Sequence, residues 1–291
     1  MRAAAILGLG SSPRNLELFQ KNSAAEWTLG LPASERDADA VLIFGGDGTV
    51  HRHLAAVVPL KLPVLVVPCG SGNDFARALG LRRVKDSLEA WRKFASGANN
   101  VRAIDLGVIT AERGTTEAAP PRYFCCAAGV GLDGEIARRA NRLPRWLRGH
   151  GGYVLSFLPA LAEFNPVRAK ILVGHHGQWE PKGEQRVFVA VFANALAYGG
   201  GMRVAPRALL DDGMLDVCIV RELDKFRLFC LFPSVYFGRH LQVPEVDYFQ
   251  TGQARIETET PLDVYADGEF VCQTPVNVSV DACCLRVISG C

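Results

Sequence analysis

Residues 40–57 hold the pattern that most constrains this chain. Ala40-Val41-Leu42-Ile43-Phe44 is a short, wholly apolar run of the kind a fully buried strand requires. It leads into Gly45-Gly46-Asp47-Gly48-Thr49, then into Val50 to Val58, where apolar residues fall near helical spacing with no breaker before Pro59. The same order recurs directly: an apolar run Pro63-Val64-Leu65-Val66-Val67, the loop Pro68 to Asp74, and a helical start over Phe75 to Leu79. Repeated strand–loop–helix units predict a parallel sheet with helices on its faces. In such sheets ligands sit beyond the carboxyl ends of the strands, where both loops lie. Glycines let backbone approach a ligand closely, and the orphan N–H groups of a helix start point at anions. Residues 45–49 therefore read as a phosphate cradle or as a plain tight turn. A carboxylate inside a phosphate cradle repels its ligand unless a cation intervenes, so Asp47 points to a divalent metal or to proton handling.

The chain has 291 residues, enough for two domains or one large one. With 32 Lys and Arg against 30 Asp and Glu, the charge balance gives no bulk affinity for nucleic acid, and none is expected as a partner. The nine cysteines include the adjacent pairs Cys125-Cys126 and Cys283-Cys284, but no zinc-type spacing. Apolar neighbours of Cys125 and Cys283 suggest buried thiols in strands. The opening residues lack a secretory pattern, and no apolar run reaches the roughly 18 residues of a membrane span. These readings predict a cytoplasmic protein that meets lipid, if at all, from the membrane surface.

The first half continues with a strand over Ala3 to Leu9, a helix over Leu16 to Trp27 and another over Val84 to Phe94. Near residue 100 the character changes. A Thr-, Glu-, Gly- and Pro-bearing surface loop spans 110–121. Longer, more alternating strands follow at Tyr123 to Ala128, Ala169 to Gly174, Arg186 to Asn194, Leu215 to Val220, Tyr248 to Thr258, Pro261 to Ala266, Val276 to Val280 and Leu285 to Ile288. Helical segments interrupt them near 146–163 and 224–239. The expected organisation is an α/β domain over 1–100 and a mostly antiparallel, β-rich, sandwich-like domain over 101–291, the last strand returning to the first domain. Exposed strand edges in the second half are compatible with a homodimer.

In the second loop, Gly70-Ser71-Gly72-Asn73-Asp74-Phe75-Ala76-Arg77, Ser71 and backbone N–H groups can hold phosphate oxygens. Asn73 or Asp74 can cap the helix, and Arg77, one turn in, can reach back to a phosphate or stand as a surface arginine. Taken together, Gly-Gly-Asp-Gly-Thr at 45–49 and Gly-Ser-Gly-Asn-Asp-Phe-Ala-Arg at 70–77 resemble the diacylglycerol kinase catalytic-domain family. That family includes bacterial lipid kinases and is related to sphingosine and ceramide kinases. The resemblance continues through Gly129 to Glu135, Asn194 to Pro206 with its Gly199-Gly200-Gly201-Met202, Asp211-Asp212-Gly213-Met214-Leu215-Asp216-Val217, Gly238-Arg239-His240 and Asp267-Gly268-Glu269.

The resemblance implies a nucleotide-binding α/β domain of the kind shared with NAD kinases, a β-rich lipid domain, and an active site in the cleft between them. ATP phosphates would contact Gly45, Gly46, Asp47, Gly48, Thr49, Ser71, Asn73, Asp74 and Arg77, with Asp47 acting through Mg²⁺. Asp212, with the main-chain carbonyls of Leu215 and Val217, carries over to a structural Mg²⁺ position. Asp-Asp-Gly is also an ordinary turn. Glu269 carries over to the proton acceptor for the lipid hydroxyl, with Asp47 as a rival; read without the family, Asp-Gly-Glu is a hairpin turn. The implied reaction is ATP- and Mg²⁺-dependent phosphorylation of diacylglycerol or a similar lipid taken from the membrane surface.

Several positions depart from the family pattern. Leu9-Gly10-Ser11-Ser12-Pro13 replaces the usual Asn-Pro, the stretch before residue 45 is short, and His51 stands where Asn is common. These changes bear on nucleotide preference and activity, and they motivate a second possibility, a catalytically weak lipid- or nucleotide-binding module. An NAD kinase is the other alternative, because that fold shares Gly-Gly-Asp-Gly; the Gly-Asn-Asp-Phe-Ala-Arg loop and the late Gly-Glu argue against it. The segment Asn141 to Leu158 mixes Arg, Trp and apolar residues. It reads as a membrane-interface helix or as a packing helix with a cationic edge.

Overall fold

The computed structural model describes residues 1–111, 121–144, 150–175 and 178–290. Most of the surface loop expected over 110–121, and the arginines at 145 and 148, lie outside the described residues. The chain forms two compact units, one of Met1–Asp105 with Ala282–Cys291, the other of Leu106–Asp281.

The first unit is built on parallel strands. β1 (Arg2–Leu7) lies between β2 (Glu26–Leu29) and β3 (Ala40–Gly45), and β3 pairs on its other side with β4 (Val64–Pro68). Every residue of β3 and β4 is buried, as strands covered on both faces require. Val287, near the end of the last strand, pairs in parallel with Val64. Helix α1 (Pro13–Gln20) starts with Pro13 at its first position and Ser12 N donating to Asn15 Oδ1 at 2.9 Å. Its Phe19 packs edge-on to Phe44 at 5.2 Å. The helix expected to run to Trp27 stops at Gln20. Glu26–Leu29 instead becomes an edge strand, because Trp27 packs against buried Trp91 of the helix Val84–Ala95, 5.5 Å away. Ser87 of that helix donates to Val66 O at 2.9 Å, fixing it over β4.

The second unit is antiparallel. β5 (Val101–Ala111), whose end enters it, pairs with β6 (Arg122–Phe124); β7 is Ala127–Gly131. The single strand expected over Tyr123 to Ala128 is thus two, broken at Cys125-Cys126. A long strand β9 (Gln178–Ala193) pairs through its first half with β8 (Val167–His175). Through its second half it pairs with β7 on one side and β10 (Leu215–Arg221) on the other. β10 continues to β11 (Val246–Thr251), and β8 to β12 (Gln253–Thr258) and β15 (Val276–Ile288). The expected Tyr248 to Thr258 strand divides at Gly252. β13 (Asp263–Ala266) and β14 (Glu269–Gln273) form a hairpin beside β7.

Alternation along these strands places Phe124, Val187, Phe192, Leu215, Val217 and Ile256 in one inner core. Phe188 and the helical segments cover an opposite face. The helix Leu132–Ala140 belongs to that cover and was not anticipated from its glycines; the i, i+4, i+5, i+8 spacing of Leu132, Ile136, Ala137 and Ala140 is the signal for it. His150–Glu163 is helical, and Lys225–Leu231 is followed by a 3₁₀ segment, Phe232–Phe237, at Pro233.

Candidate active site

The two glycine loops follow the carboxyl ends of β3 and β4, and their backbones touch. A Cβ on Gly70 would stand 2.4 Å from Gly46 Cα, and one on Gly46 would stand 2.9 Å from Gly70 Cα. Side chains are therefore excluded at both positions by main chain that cannot yield. The helices that follow are α2 (Asp47–Val57) and α3 (Asp74–Ala78). Asp47, the first residue of α2, reaches across to α3. Its Oδ2 accepts from Asp74 N at 3.1 Å and its Oδ1 from Phe75 N at 3.0 Å. The cap of α3 thus comes from the other loop, 27 residues earlier, and not from Asn73 or Asp74. Asn73, at φ 58°, instead closes its own loop: Gly70 N donates to its Oδ1 at 2.9 Å, and its Nδ2 donates to Gly70 O at 2.7 Å.

Asp74 is buried and ion-paired to Arg77, whose guanidinium also donates to Gly72 O. Arg77 is therefore not a free surface arginine. Two of its donors hold the loop, and its remaining N–H groups are what a phosphate could engage. Ser71 is exposed at the loop tip. Thr49 is buried, packed where a Cβ on Gly8 or Gly45 would fall within 2.4–2.5 Å of it, so its side chain supports the loop from beneath.

In the second unit, Asp267 (φ 50°) and Gly268 (φ 83°) form the turn of the β13–β14 hairpin, with Ala266 opposite Glu269. Positive φ at both central residues is the two-residue turn that suits strand twist, and Asp-Gly is a preferred pair for it. The geometry shows Asp-Gly-Glu as a hairpin turn, and the turn places a half-buried Glu269 at the start of β14. The turn is anchored. Asp267 Oδ2 accepts from Cys125 N at 2.8 Å and Oδ1 from Cys126 N at 2.8 Å and Ala127 N at 3.3 Å. Asn194, fully buried, donates to Cys125 O at 3.1 Å, and Asn141 donates to Gly268 O at 2.7 Å. Residues far apart in the chain, at 125–127, 141, 194 and 267–269, therefore meet around one turn.

Comparison with known proteins shows the family and the fold. Residues 126–289 match the YegS C-terminal NAD kinase beta sandwich-like domain, and residues 13–109 match the diacylglycerol kinase catalytic domain. A diacylglycerol kinase of Mycobacterium tuberculosis is 32% identical over 257 residues, covering 88% of this chain and 78% of that protein. The chain belongs to the diacylglycerol kinase family, a family of lipid kinases. A crystal structure of a diacylglycerol kinase from Bacillus anthracis superposes with a TM-score of 0.66 at 18% identity, covering 99% of this chain and 96% of that one. An NAD kinase from Archaeoglobus fulgidus, solved in complex with ATP, has a TM-score of 0.53 at 12% identity, covering 100% and 94%. At these identities the two structures speak for the fold.

The family's metal chemistry can be tested on the carboxylates of this lipid kinase. Asp212 is exposed; its Oδ1 accepts from Met214 N and its Oδ2 from Gln250 Nε2, both at 3.1 Å. The same Gln250 amide donates to Asp216 Oδ2 at 3.2 Å. Burial, then the nearby Asp212 charge, push the Asp216 carboxyl above its ordinary value, against the hydrogen bonds from Tyr248 and Gln250. Two carboxylates gathered on one amide are hard oxygen donors that fit a Mg²⁺-type cation. Leu215 and Val217 stand in β10 between β9 and β11, so their carbonyls serve the sheet and keep only a second lone pair for an ion.

The second unit also carries a partly open apolar pocket of about 80 Å³, lined among others by Ile136, Phe157, Val191, Met202, Leu228 and Phe232. Its wall carries a group that the sequence reading passed over: Asp133, buried, with the hydroxyls of Tyr153 and Tyr198 both donating to its Oδ1. Burial raises the Asp133 carboxyl above its ordinary value, and both phenols are raised well above theirs.

Proposed function

We propose that this protein transfers the γ-phosphoryl group of ATP to a hydroxyl of diacylglycerol or a similar lipid. The observation that carries the proposal is the clasp of the two glycine loops by Asp47. It supports a rigid, side-chain-free main-chain surface at the start of an eleven-residue helix, the kind of surface a polyphosphate fits. Residues 45–48 and 71–73 bind phosphate oxygens through backbone N–H groups and the Ser71 hydroxyl, while Thr49, whose N–H donates to Gly46 O at 2.9 Å, supports the loop. Arg77 steadies the second loop. Glu269 accepts the proton of the attacking lipid hydroxyl, whose own acidity is too weak for it to leave unaided. Mg²⁺, when bound, neutralises phosphate charge; positioning supplies most of the remaining rate. Asp212 and Asp216 are the carboxylates that would hold a further structural ion.

The apolar cavity favours a lipid acceptor over a dinucleotide, because its lining offers an acyl chain contact and a nucleotide little. Val154, Leu155 and Leu158 on one helix, with Phe226 and Phe229 on another, are exposed; they support docking at a membrane surface, from which the acceptor is taken. No described helix is long and apolar enough to cross a membrane.

The test is purified protein with labelled ATP and a panel of lipids in mixed micelles. A phosphorylated lipid is expected from at least one diacylglycerol-like acceptor, and none on adding NAD. Well-folded protein that labels no lipid, or that labels NAD, refutes the reading.

A further inference from the structure

The break between β6 and β7 brings together a pair of thiols that phosphoryl transfer does not use. In an extended strand, adjacent side chains point to opposite faces, so neighbouring cysteines cannot reach one ligand. At Cys125-Cys126 the strand is interrupted, and both thiols come to the same carboxylate. The Sγ atoms of Cys125 and Cys126 and an Asp267 oxygen all lie within 4.8 Å of one another. Cys125 Sγ donates to Asp267 Oδ2 at 3.3 Å. Both cysteines are buried; Asp267 is half-buried, and the carboxylate is held in place by three backbone N–H groups.

We infer that Cys125, Cys126 and Asp267 form a binding site for a thiophilic divalent cation of the zinc class. Two sulfurs and one carboxylate oxygen are the donor set such ions prefer, and a hard ion such as Mg²⁺ does not seek thiolates. The spacing suits it. Metal–sulfur and metal–oxygen bonds of about 2.3 and 2.0 Å at a tetrahedral angle put sulfur and oxygen roughly 3.5 Å apart, close to the 3.3 Å found here. The binding step is an exchange: each thiol releases its proton to solvent as the cation bonds its sulfur, and the ion takes the place of the Cys125 S–H between sulfur and carboxylate. A water completes the fourth position. No electron transfer is involved. The ion would tie the break at 125–126 to the turn at 267–268 by coordination where hydrogen bonds now do so, stiffening the hairpin. The site stands on its own geometry and does not depend on the identity of the kinase's substrates.

Co²⁺ is the probe, because its thiolate complexes absorb strongly and Zn²⁺ complexes do not. Titration of the reduced full-length chain is expected to give a sulfur-to-cobalt charge-transfer band saturating at one equivalent, bleached by Zn²⁺. Cys125→Ser and Cys126→Ser should each lose most of the band, and Cys272→Ser should keep it. X-ray absorption of the Zn²⁺-loaded wild-type chain should show two sulfur and two oxygen or nitrogen neighbours; this measurement holds even if the serine variants fail to fold. No charge-transfer band, a band that survives in both folded serine variants, or a zinc shell without two sulfurs overturns the inference.

Discussion

Asp47 accepts a backbone N–H on each carboxylate oxygen, which ties its chemistry to the fold of the loop opposite. A residue so held is fixed by the loop opposite; in the proposed reaction Glu269, with no such clasp in the geometry described above, is the freer candidate for the proton acceptor. Glu269→Gln is expected to lower kcat by about 10²–10⁴-fold while leaving the melting temperature near that of wild type, read by lipid phosphorylation and calorimetry. Asp47→Ala should behave differently, lowering activity and also stability by about 1–2 kcal/mol, the usual cost of losing a helix cap. A melt of Asp47→Ala that matches wild type would refute the clasp. Asp133 gives a pH prediction with a definite sign. Its folded-state value is raised by burial, so below its ordinary value both states are protonated and its contribution is full. As pH rises toward the folded-state value the unfolded chain ionises first, and stability is lost. Asp133→Asn should therefore flatten the fall of melting temperature with rising pH above about 4. A residual slope from Asp216, raised in the same direction, should persist.

At the level of elements, the β13–β14 hairpin matters because a single side chain fastens it. Three backbone N–H groups of the 125–127 break end on Asp267, and Asp267 N returns a hydrogen bond to Ala127 O at 3.0 Å. Removing the carboxylate leaves those donors without their acceptor. Asp267→Ala is expected to cost about 3 kcal/mol, in line with buried donors deprived of a charged partner, and to lower kcat because Glu269 is two residues away. Denaturant unfolding and steady-state kinetics read the two effects separately. The broken strand at 125–126 and the turn at 267–268 thus act as one element, although 140 residues separate Ala127 from Asp267.

For the molecule as a whole, each unit stabilises itself by a different route. The first relies on strands buried on both faces, with Phe44, Leu65, Trp91 and Phe19 fully enclosed. The second packs alternating strand residues into an inner core and covers an outer face with helices. The contrast explains the hydropathy patterns: continuous apolar runs before residue 100, alternation after it. It also explains where sequence patterns mislead. The helix expected to reach Trp27 gives way to β2, where Trp27 meets Trp91, and the 248–258 strand divides at Gly252; a partner such as Trp91 has no local signature.

The chain by itself determined the parallel strand–loop–helix units, the change to antiparallel strands, the family, and the positions of both glycine loops. These depend on periodicity, on glycine and on ordered motifs, all of which are local. The tertiary structure decided which carboxylate caps α3, why Gly46 and Gly70 must both be glycine, how Asp267 holds the hairpin, and that two adjacent cysteines face one carboxylate. Those facts depend on atoms brought together across 24 to 142 residues. Hydrogen bonding and exclusion of Cβ atoms act through space, so no local window of the sequence contains them.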